Sequence, residues 1–282
     1  MNLLLTPEWL LAISLILGLC VGSFLNVVAW RLPKMLEMGW QREAAAYLQL
    51  PEPAHERFNL SYPSSHCPKC QTPIRPWHNI PLLGWLMLVG KCAACGQRIS
   101  MRYPLVEMTT GLLSLAVVWL LGASPQSLLY LPLVWALVVL FLIDFDTQLL
   151  PDIITLPLMW LGLLISLLGL GQLGVSLNEA LWGAILGYGS LWSVYWLFKL
   201  ATGKEGMGFG DFKLFAALGA WLGWQALPMV ILLSALAGAV IGLILQRVRQ
   251  GQPMAFGPFL CVAALIYLFF GDAIMAWYLG LL

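Results

Sequence analysis

Residues 127–152 read SLLYLPLVWALVVLFLIDFDTQLLPD. No charged side chain occurs from Ser127 to Ile143; the run then meets Asp144 and Asp146, followed by Pro151 and Asp152. About 17 to 25 consecutive apolar residues span a hydrocarbon layer roughly 30 Å thick as a helix. The stretch therefore predicts a transmembrane helix over 127–145 with carboxylates at one end. Similar blocks lie at 9–30, 104–122, 153–170, 180–198, 211–224, 227–246 and 256–279. The fold class expected is an all-α polytopic membrane protein with about eight transmembrane helices. Composition agrees: 61% of residues are hydrophobic and 10% charged, against roughly 25% charged in soluble domains. The block at 211–224 is the least regular, since Asp211 and Lys213 open it and Pro228 follows it closely, so a re-entrant segment is an alternative to a crossing.

The small net charge of +1 hides a segregation of cations along the chain. Nine of the 14 Lys and Arg (Arg31, Lys34, Arg42, Arg57, Lys69, Arg75, Lys91, Arg98 and Arg102) fall in one polar stretch. Lys199, Lys204 and Lys213 flank a Gly-rich loop, and Arg247 and Arg249 complete the set. Eight crossings put all three groups on one side, which the positive-inside rule makes cytoplasmic. Both termini are then periplasmic. Thr6-Pro7-Glu8 carries the N-cap, proline and acidic first turn of a helix start, so the first helix is expected to be retained.

This pattern divides the chain into a first transmembrane helix (1–30), a cytoplasmic module (31–103) and a membrane-embedded helical domain (104–282). The module holds all three histidines and the prolines Pro33, Pro51, Pro53, Pro63, Pro68, Pro73 and Pro76. Within it, Cys67-Pro-Lys-Cys70 and Cys92-Ala-Ala-Cys95-Gly96 are spaced as two knuckles around one tetrahedral metal. Two disulfides are the alternative, but a cytoplasmic location keeps thiols reduced. Zinc bound by Cys67, Cys70, Cys92 and Cys95 would be structural, because four thiolates leave no open coordination position. His66 could replace a ligand, though nothing requires it. Cys20 and Cys261 fall inside helices as packing residues.

Four acidic residues fall within or at the ends of apolar blocks: Glu107, Asp144, Asp211 and Asp272. Ionised groups there cost several kcal/mol unless paired or facing a polar cavity, which makes each a functional candidate. Asp272 suits an interfacial position near the outer end of the last helix, and Glu107 can pair with Arg102. Asp144 and Asp211 fall at the same cytoplasmic border on different helices. Asp144 precedes the helix-ending Leu150-Pro151, and Asp211 closes Gly206-Met-Gly208-Phe-Gly210-Asp211, whose glycines permit close backbone approach. Two converging carboxylates can share a proton and activate water against a peptide carbonyl. Simple helix capping beside a flexible loop is the structural alternative. A proton-coupled transporter would use the same acids but leaves the cysteines unexplained, and the halves show no repeat. A non-catalytic assembly factor would use the module as a docking surface.

Taken in order, these motifs resemble the type IV prepilin peptidases, which are bifunctional leader peptidases and N-methyltransferases. The resemblance covers nearly the whole chain. It comprises Gly22-Ser-Phe-Leu-Asn26-Val-Val-Ala-Trp-Arg31-Leu-Pro33, both Cys pairs, Arg102-Tyr-Pro-Leu-Val-Glu107, the Asp144 segment and the Gly-x-Gly-Asp motif ending at Asp211. It implies a bacterial inner-membrane aspartyl peptidase with Asp144 and Asp211 as catalytic pair and Asp146 as a bystander. The implied substrates are prepilins and pseudopilins, cleaved on the cytoplasmic side; no nucleic acid is implied, and no oligomeric state is set. The resemblance also implies methylation of the new amino terminus with S-adenosylmethionine. Gly90 matches a glycine linked to that activity, and Glu107 is a candidate for orienting the substrate amino group. No strand followed by Gly-x-Gly-x-x-Gly and a helix supports a Rossmann-type cofactor site.

Overall fold

The computed structural model describes residues 7–51, 57–246 and 255–280. Thr6, Pro53, His55, Arg247 and Arg249 lie outside the described residues. Nine α-helices occur among the described residues: α1 (Pro7–Tyr47), α2 (Leu83–Met87), α3 (Arg102–Leu120), α4 (Leu131–Thr147), α5 (Asp152–Leu167), α6 (Leu177–Thr202), α7 (Phe209–Leu222), α8 (Leu227–Gln246) and α9 (Gly257–Leu279). Extended pairing among the described residues is confined to two isolated bridges, His66 with Pro73 and Lys91 with Arg98. The chain forms two compact units, Met1–Trp119 and Leu120–Leu282.

Among the described residues, five segments are both long and apolar enough to cross a membrane: Glu8–Tyr47, Arg102–Leu120, Pro125–Thr147, Trp224–Ile244 and Gly257–Ala276. The other three of the expected eight blocks form helices that miss one criterion. At 16 and 14 residues, α5 and α7 reach only about 21–24 Å. The 26-residue α6 is long enough, but Tyr, Trp, Ser and Gly dilute its apolarity. The block at 211–224, open to a re-entrant reading, is a continuous helix. Its residues from Leu214 to Leu222 are all buried, as expected of a helix apolar on every side and enclosed by others.

In the first unit, α1 does not stop near residue 30. It runs unbroken through Pro33 for 41 residues, about 62 Å or twice the hydrocarbon thickness, so residues 31–47 begin the module as helix rather than loop. α3 packs on α1 through small residues. A Cβ on Gly22 would meet Glu107 Cα at 2.8 Å, and one on Gly111 would meet Leu19 Cδ2 at 2.7 Å. Asn26 Nδ2 donates to Gly22 O at 3.2 Å and to Tyr103 O at 3.3 Å. Gly22 and Asn26 of the first motif thus line the seam between two helices.

In the second unit, α7 is the central element, packed mainly on α6 and α5. Gly183 on α6 and Gly219 on α7 lie backbone to backbone, so that a Cβ on either would collide with the other's carbonyl. One turn along α6, a Cβ on Gly187 would meet Phe215 O at 2.6 Å. This is the small-x-x-x-small packing by which helices approach closely without polar contacts. On the other flank, Gly162 of α5 accommodates the Trp221 indole, whose Nε1 donates to Leu158 O at 2.8 Å.

Candidate active site and metal centre

Asp144 lies in the last turn of α4. The helix ends when Gln148 adopts a left-handed conformation (φ 55°) and donates its N–H to Asp144 O at 2.9 Å. The chain then runs through Leu149 and Leu150 to Pro151, which starts α5 at Asp152. Asp144 is buried, whereas Asp146 is exposed. At about 100° per residue, two residues carry a side chain to nearly the opposite helix face. The structure therefore separates the two acids that stand side by side in the sequence.

Asp211 is the third residue of α7, after the N-cap Gly208, and is also buried. Leu150 brings the two aspartates' elements together. A Cβ on Gly210 would sit 2.7 Å from Leu150 Cβ, and one on Gly257, the first residue of α9, 3.0 Å from Leu150 Cδ1. The α4–α5 turn, the start of α7 and the start of α9 thus meet around one leucine. The elements that carry Asp144 and Asp211 are thereby brought to one place. Asp144 Oδ2 and Asp211 Oδ1 are buried with no hydrogen-bond partner among the described residues. Such atoms are costly in a folded interior and signal a functional demand.

Three contributors to this site were not singled out from the sequence. A Cβ on Gly257 would fall 2.5 Å from Asp144 Oδ2, so this glycine gives the carboxylate its room. Cys261, one turn into α9 after Gly257, is buried as well. Lys213 Nζ holds both oxygens of Asp152, at 2.8 and 2.7 Å, and ties the start of α5 to the first turn of α7. Beside the Gly-rich motif, Tyr195, Phe209 and Phe212 pack with ring centroids 5.2 to 5.7 Å apart and bind α6 to α7.

In the first unit the four module cysteines meet. All four Sγ atoms lie within 4.8 Å of one another, with Cys67 to Cys95 at 3.8 Å and Cys70 to Cys92 at 3.9 Å. A disulfide needs about 2.05 Å. A tetrahedron with metal–sulfur bonds of about 2.3 Å has sulfur–sulfur edges of about 3.8 Å. The cluster therefore fits one tetrahedral metal ion. Both knuckles have the same backbone. Gln71 N–H donates to Cys67 O and Gly96 N–H to Cys92 O, each at 2.9 Å. Gln71 and Gly96 are both left-handed, at φ 58° and 69°. Cys67 N–H donates to Thr72 O at 3.0 Å, and Cys92 N–H to Gln97 O at 2.8 Å.

The thiols are partly prepared for a cation. Hydrogen bonds from the Thr72 hydroxyl and backbone pull Cys70 down to about 6, and backbone N–H groups of Cys95 and Ala94 lower Cys92. The Gln97 backbone acts on Cys95 in the same direction, but desolvation and the three neighbouring sulfurs outweigh it and raise that thiol to about 11. His66 Nδ1 lies 2.8 Å from Ser64 O, a contact within its own loop.

The two methylation candidates have structural partners. Gly90 has φ +65°, and a Cβ there would sit 2.6 Å from the Trp85 ring. Its N–H donates to Trp85 O at 2.9 Å and its carbonyl accepts from Ile99 N–H at 2.8 Å, which closes the base of the second knuckle. Glu107 is buried, and its Oε2 accepts the Leu82 N–H at 2.7 Å. Arg31, one of the cytoplasmic cations and part of the Gly22–Pro33 motif, is 5% exposed. It donates to Asn59 O (2.9 Å), Leu60 O (3.4 Å) and Pro63 O (2.6 Å) and so folds the 59–63 loop around α1.

Two family models match in succession: one described as the Bacterial Peptidase A24 N-terminal domain over residues 16–121, and one described as the Type IV leader peptidase family over 131–243. A prepilin leader peptidase/N-methyltransferase of Pseudomonas putida is 55% identical over 273 residues, covering 96% of this chain and 94% of that protein. The protein of that name from Stutzerimonas stutzeri is 56% identical over 270 residues, covering 94% and 92% of the two chains. Its counterpart from Neisseria gonorrhoeae is 50% identical over 264 residues, covering 93% and 91%. No solved structure matches the chain. With relatives this similar over nearly their full length, the chain belongs to the type IV leader peptidase family.

Proposed function

We propose that the protein removes the leader peptide of prepilins and pseudopilins at the cytoplasmic face of the bacterial inner membrane and then methylates the new amino terminus. The observation that supports the first step is the pair of buried aspartates, Asp144 and Asp211, on elements that meet at Leu150, each with one oxygen that has no hydrogen-bond partner among the described residues. One carboxylate takes a proton from a water as its oxygen attacks the scissile carbonyl, while the protonated partner gives its proton to the carbonyl oxygen. Collapse of the tetrahedral intermediate returns a proton to the leaving nitrogen. The dyad titrates as a unit, so neither acid nor base is a fixed property of one residue. Asp146, exposed on the other face of α4, takes no part.

For the second step, S-adenosylmethionine supplies a methyl group to the freed amine, which loses a proton. Gly90 and Glu107 serve methylation by shaping the cysteine module, as the Trp85 and Leu82 contacts suggest. The module carries zinc on Cys67, Cys70, Cys92 and Cys95 as a structural ion. The topology proposed is eight crossings with both termini periplasmic, α7 crossing as a short helix enclosed by its neighbours. Both reactions then act on one substrate, whose helix stays in the bilayer while its amino terminus remains at the interface.

Mass spectrometry of a prepilin co-expressed with the protein tests the proposal. Wild type should remove the leader and add 14 Da, the mass of one methylation. Asp144→Asn and Asp211→Asn should each leave the prepilin intact, and Asp146→Asn should process it normally. Cleavage that survives both dyad substitutions would remove the aspartyl mechanism.

A further inference from the structure

Helix α2 and its flanks form an apolar surface that no described residue of the first unit covers. Leu83, Leu86, Met87 and Val89 are 56%, 61%, 64% and 76% exposed, and Ile80 is exposed beside them. The segment is rigid. Gly84 packs against the backbone of His78 so closely that a Cβ would collide with its carbonyl, and Trp85, on the inner side, closes over Gly90. A contiguous apolar patch on a rigid turn marks an interaction surface.

Its location identifies the partner. Leu82, at the start of α2, is held by the hydrogen bond from its N–H to Glu107 Oε2. Glu107 lies five residues into α3, whose segment Arg102–Leu120 is long and apolar enough to cross a membrane. At 1.5 Å per residue, Glu107 Cα lies about 7–8 Å along α3 from its first residue, and the hydrogen bond keeps Leu82 within a side chain's length of that level. Interfacial segments bury their apolar faces about 5–10 Å into the headgroup boundary. A level of that order suits an interfacial segment beside α3.

Charge points the same way. From Arg57 to Val106 the sequence holds six basic residues, Arg57, Lys69, Arg75, Lys91, Arg98 and Arg102, and no Asp or Glu. Four thiolates around a divalent ion leave that stretch positive. Retention of cations on the cytoplasmic side accounts for the charge but not for the exposed leucines and methionine beside it. A basic rim around an apolar insertion suits an anionic lipid surface.

We propose that residues 80–89 insert into the cytoplasmic leaflet beside α3 and bind anionic phospholipid, with Glu107 as the buckle that sets their depth. The inference rests on the membrane topology above but not on the catalytic assignment. The test uses the full-length protein in nanodiscs of phosphatidylethanolamine and phosphatidylglycerol. A benzophenone amino acid replaces Met87, Val89 or, as reference, the exposed Gln97 of the second knuckle. After irradiation, mass spectrometry should find phospholipid adducts at positions 87 and 89 at least tenfold more often than at 97. Exchanging phosphatidylglycerol for phosphatidylcholine should lower the yield severalfold. Equal metal content in all three variants verifies an intact module.

Adducts to protein at 87 and 89 would replace the lipid by a protein partner, and a yield no higher than at 97 would overturn insertion. An unchanged yield without phosphatidylglycerol would overturn the anionic preference. Because the readout needs no prepilin, failure of the proposed activity leaves it intact. As a second variant, Leu86→Glu should raise hydrogen exchange of residues 80–89 at least tenfold with metal retained. Unchanged exchange would also count against insertion.

Discussion

The two chemical centres are built in opposite ways. The cysteine cluster is assembled locally: two copies of one hydrogen-bonded turn each place two sulfurs, and all four ligands lie between Cys67 and Cys95. The aspartate pair is assembled by packing. Its members sit on α4 and α7 with two helices between them in sequence; small residues let α5, α6 and α7 pack closely, and Gly210 and Gly257 admit Leu150 where the starts of α7 and α9 meet the end of α4. A locally built site fails when a ligand is lost, whereas a packed site also fails when a distant backbone contact is forced apart.

The largest effect expected is on the dyad itself. Asp144→Asn or Asp211→Asn should lower cleavage by at least about 10³-fold, since groups that act as a unit cannot substitute for one another. Asp146→Asn should stay within about twofold of wild type. Methylation of a synthetic, already cleaved substrate should persist in both dyad variants, and its loss would show that the two centres do not act separately.

Next in size is removal of the metal. Structural zinc sites contribute roughly 10–16 kcal/mol of apparent binding free energy at neutral pH, so Cys67→Ser or strong chelation should unfold the knuckles. Methylation should fall at least tenfold and cleavage by much less; equal losses would refute the separation. Affinity should also depend on pH in a defined sense. Cys70 is lowered from 9.0 to about 6, so it is already a thiolate at neutral pH, and its part in metal affinity should hold down to about pH 6 and fall below that. Cys95, raised to about 11, should release a proton on binding near pH 7. Titration calorimetry in buffers of different ionisation enthalpy reads that proton.

Packing substitutions give the middle of the range. Gly183→Ala or Gly219→Ala forces the α6 and α7 backbones apart and should cost about 1–3 kcal/mol, with cleavage lost in parallel. Gly96→Ala meets no atom within 4 Å and should cost only the strain of a left-handed alanine, about 1 kcal/mol. Thermal unfolding in detergent separates the two. A Gly183 variant as stable as wild type would mean that the helices can shift without opening the site.

The same contrast governs what could be read from the sequence. The cysteine site was legible almost in full, because spacing specifies its geometry. Asp144 and Asp211 stood out because charge at an apolar helix end is rare, and Leu150-Pro151 marked the turn. What was not legible depends on tertiary approach. Gly257 is one glycine among 27 until a Cβ is seen to crowd Asp144. Arg31 looked like a retention charge because its partners are backbone carbonyls in a loop about 30 residues away. Polarity begins at residue 31 and marks the end of an apolar crossing, but it does not mark the end of the helix, whose backbone continues through Pro33 into the module. Crossing number was the least readable feature, because α7 is shielded by protein and need not match the bilayer in length.

The smallest effect concerns the ion pair between Lys213 and Asp152. Both side chains are partly exposed, at 28% and 53%, and such a pair contributes only about 0–1 kcal/mol to stability. Its position gives it more leverage than that figure implies, because it joins the residue after Pro151 to the turn that carries Asp211. Lys213→Met should therefore leave the unfolding temperature nearly unchanged, yet lower kcat for prepilin cleavage severalfold with little change in KM. The swapped pair, Asp152→Lys with Lys213→Asp, should recover part of that loss, and wild type should lose activity in high salt as the pair is screened. A loss as large as that of the dyad variants, with no recovery on swapping, would make Lys213 part of the reacting constellation and not a clasp between two turns.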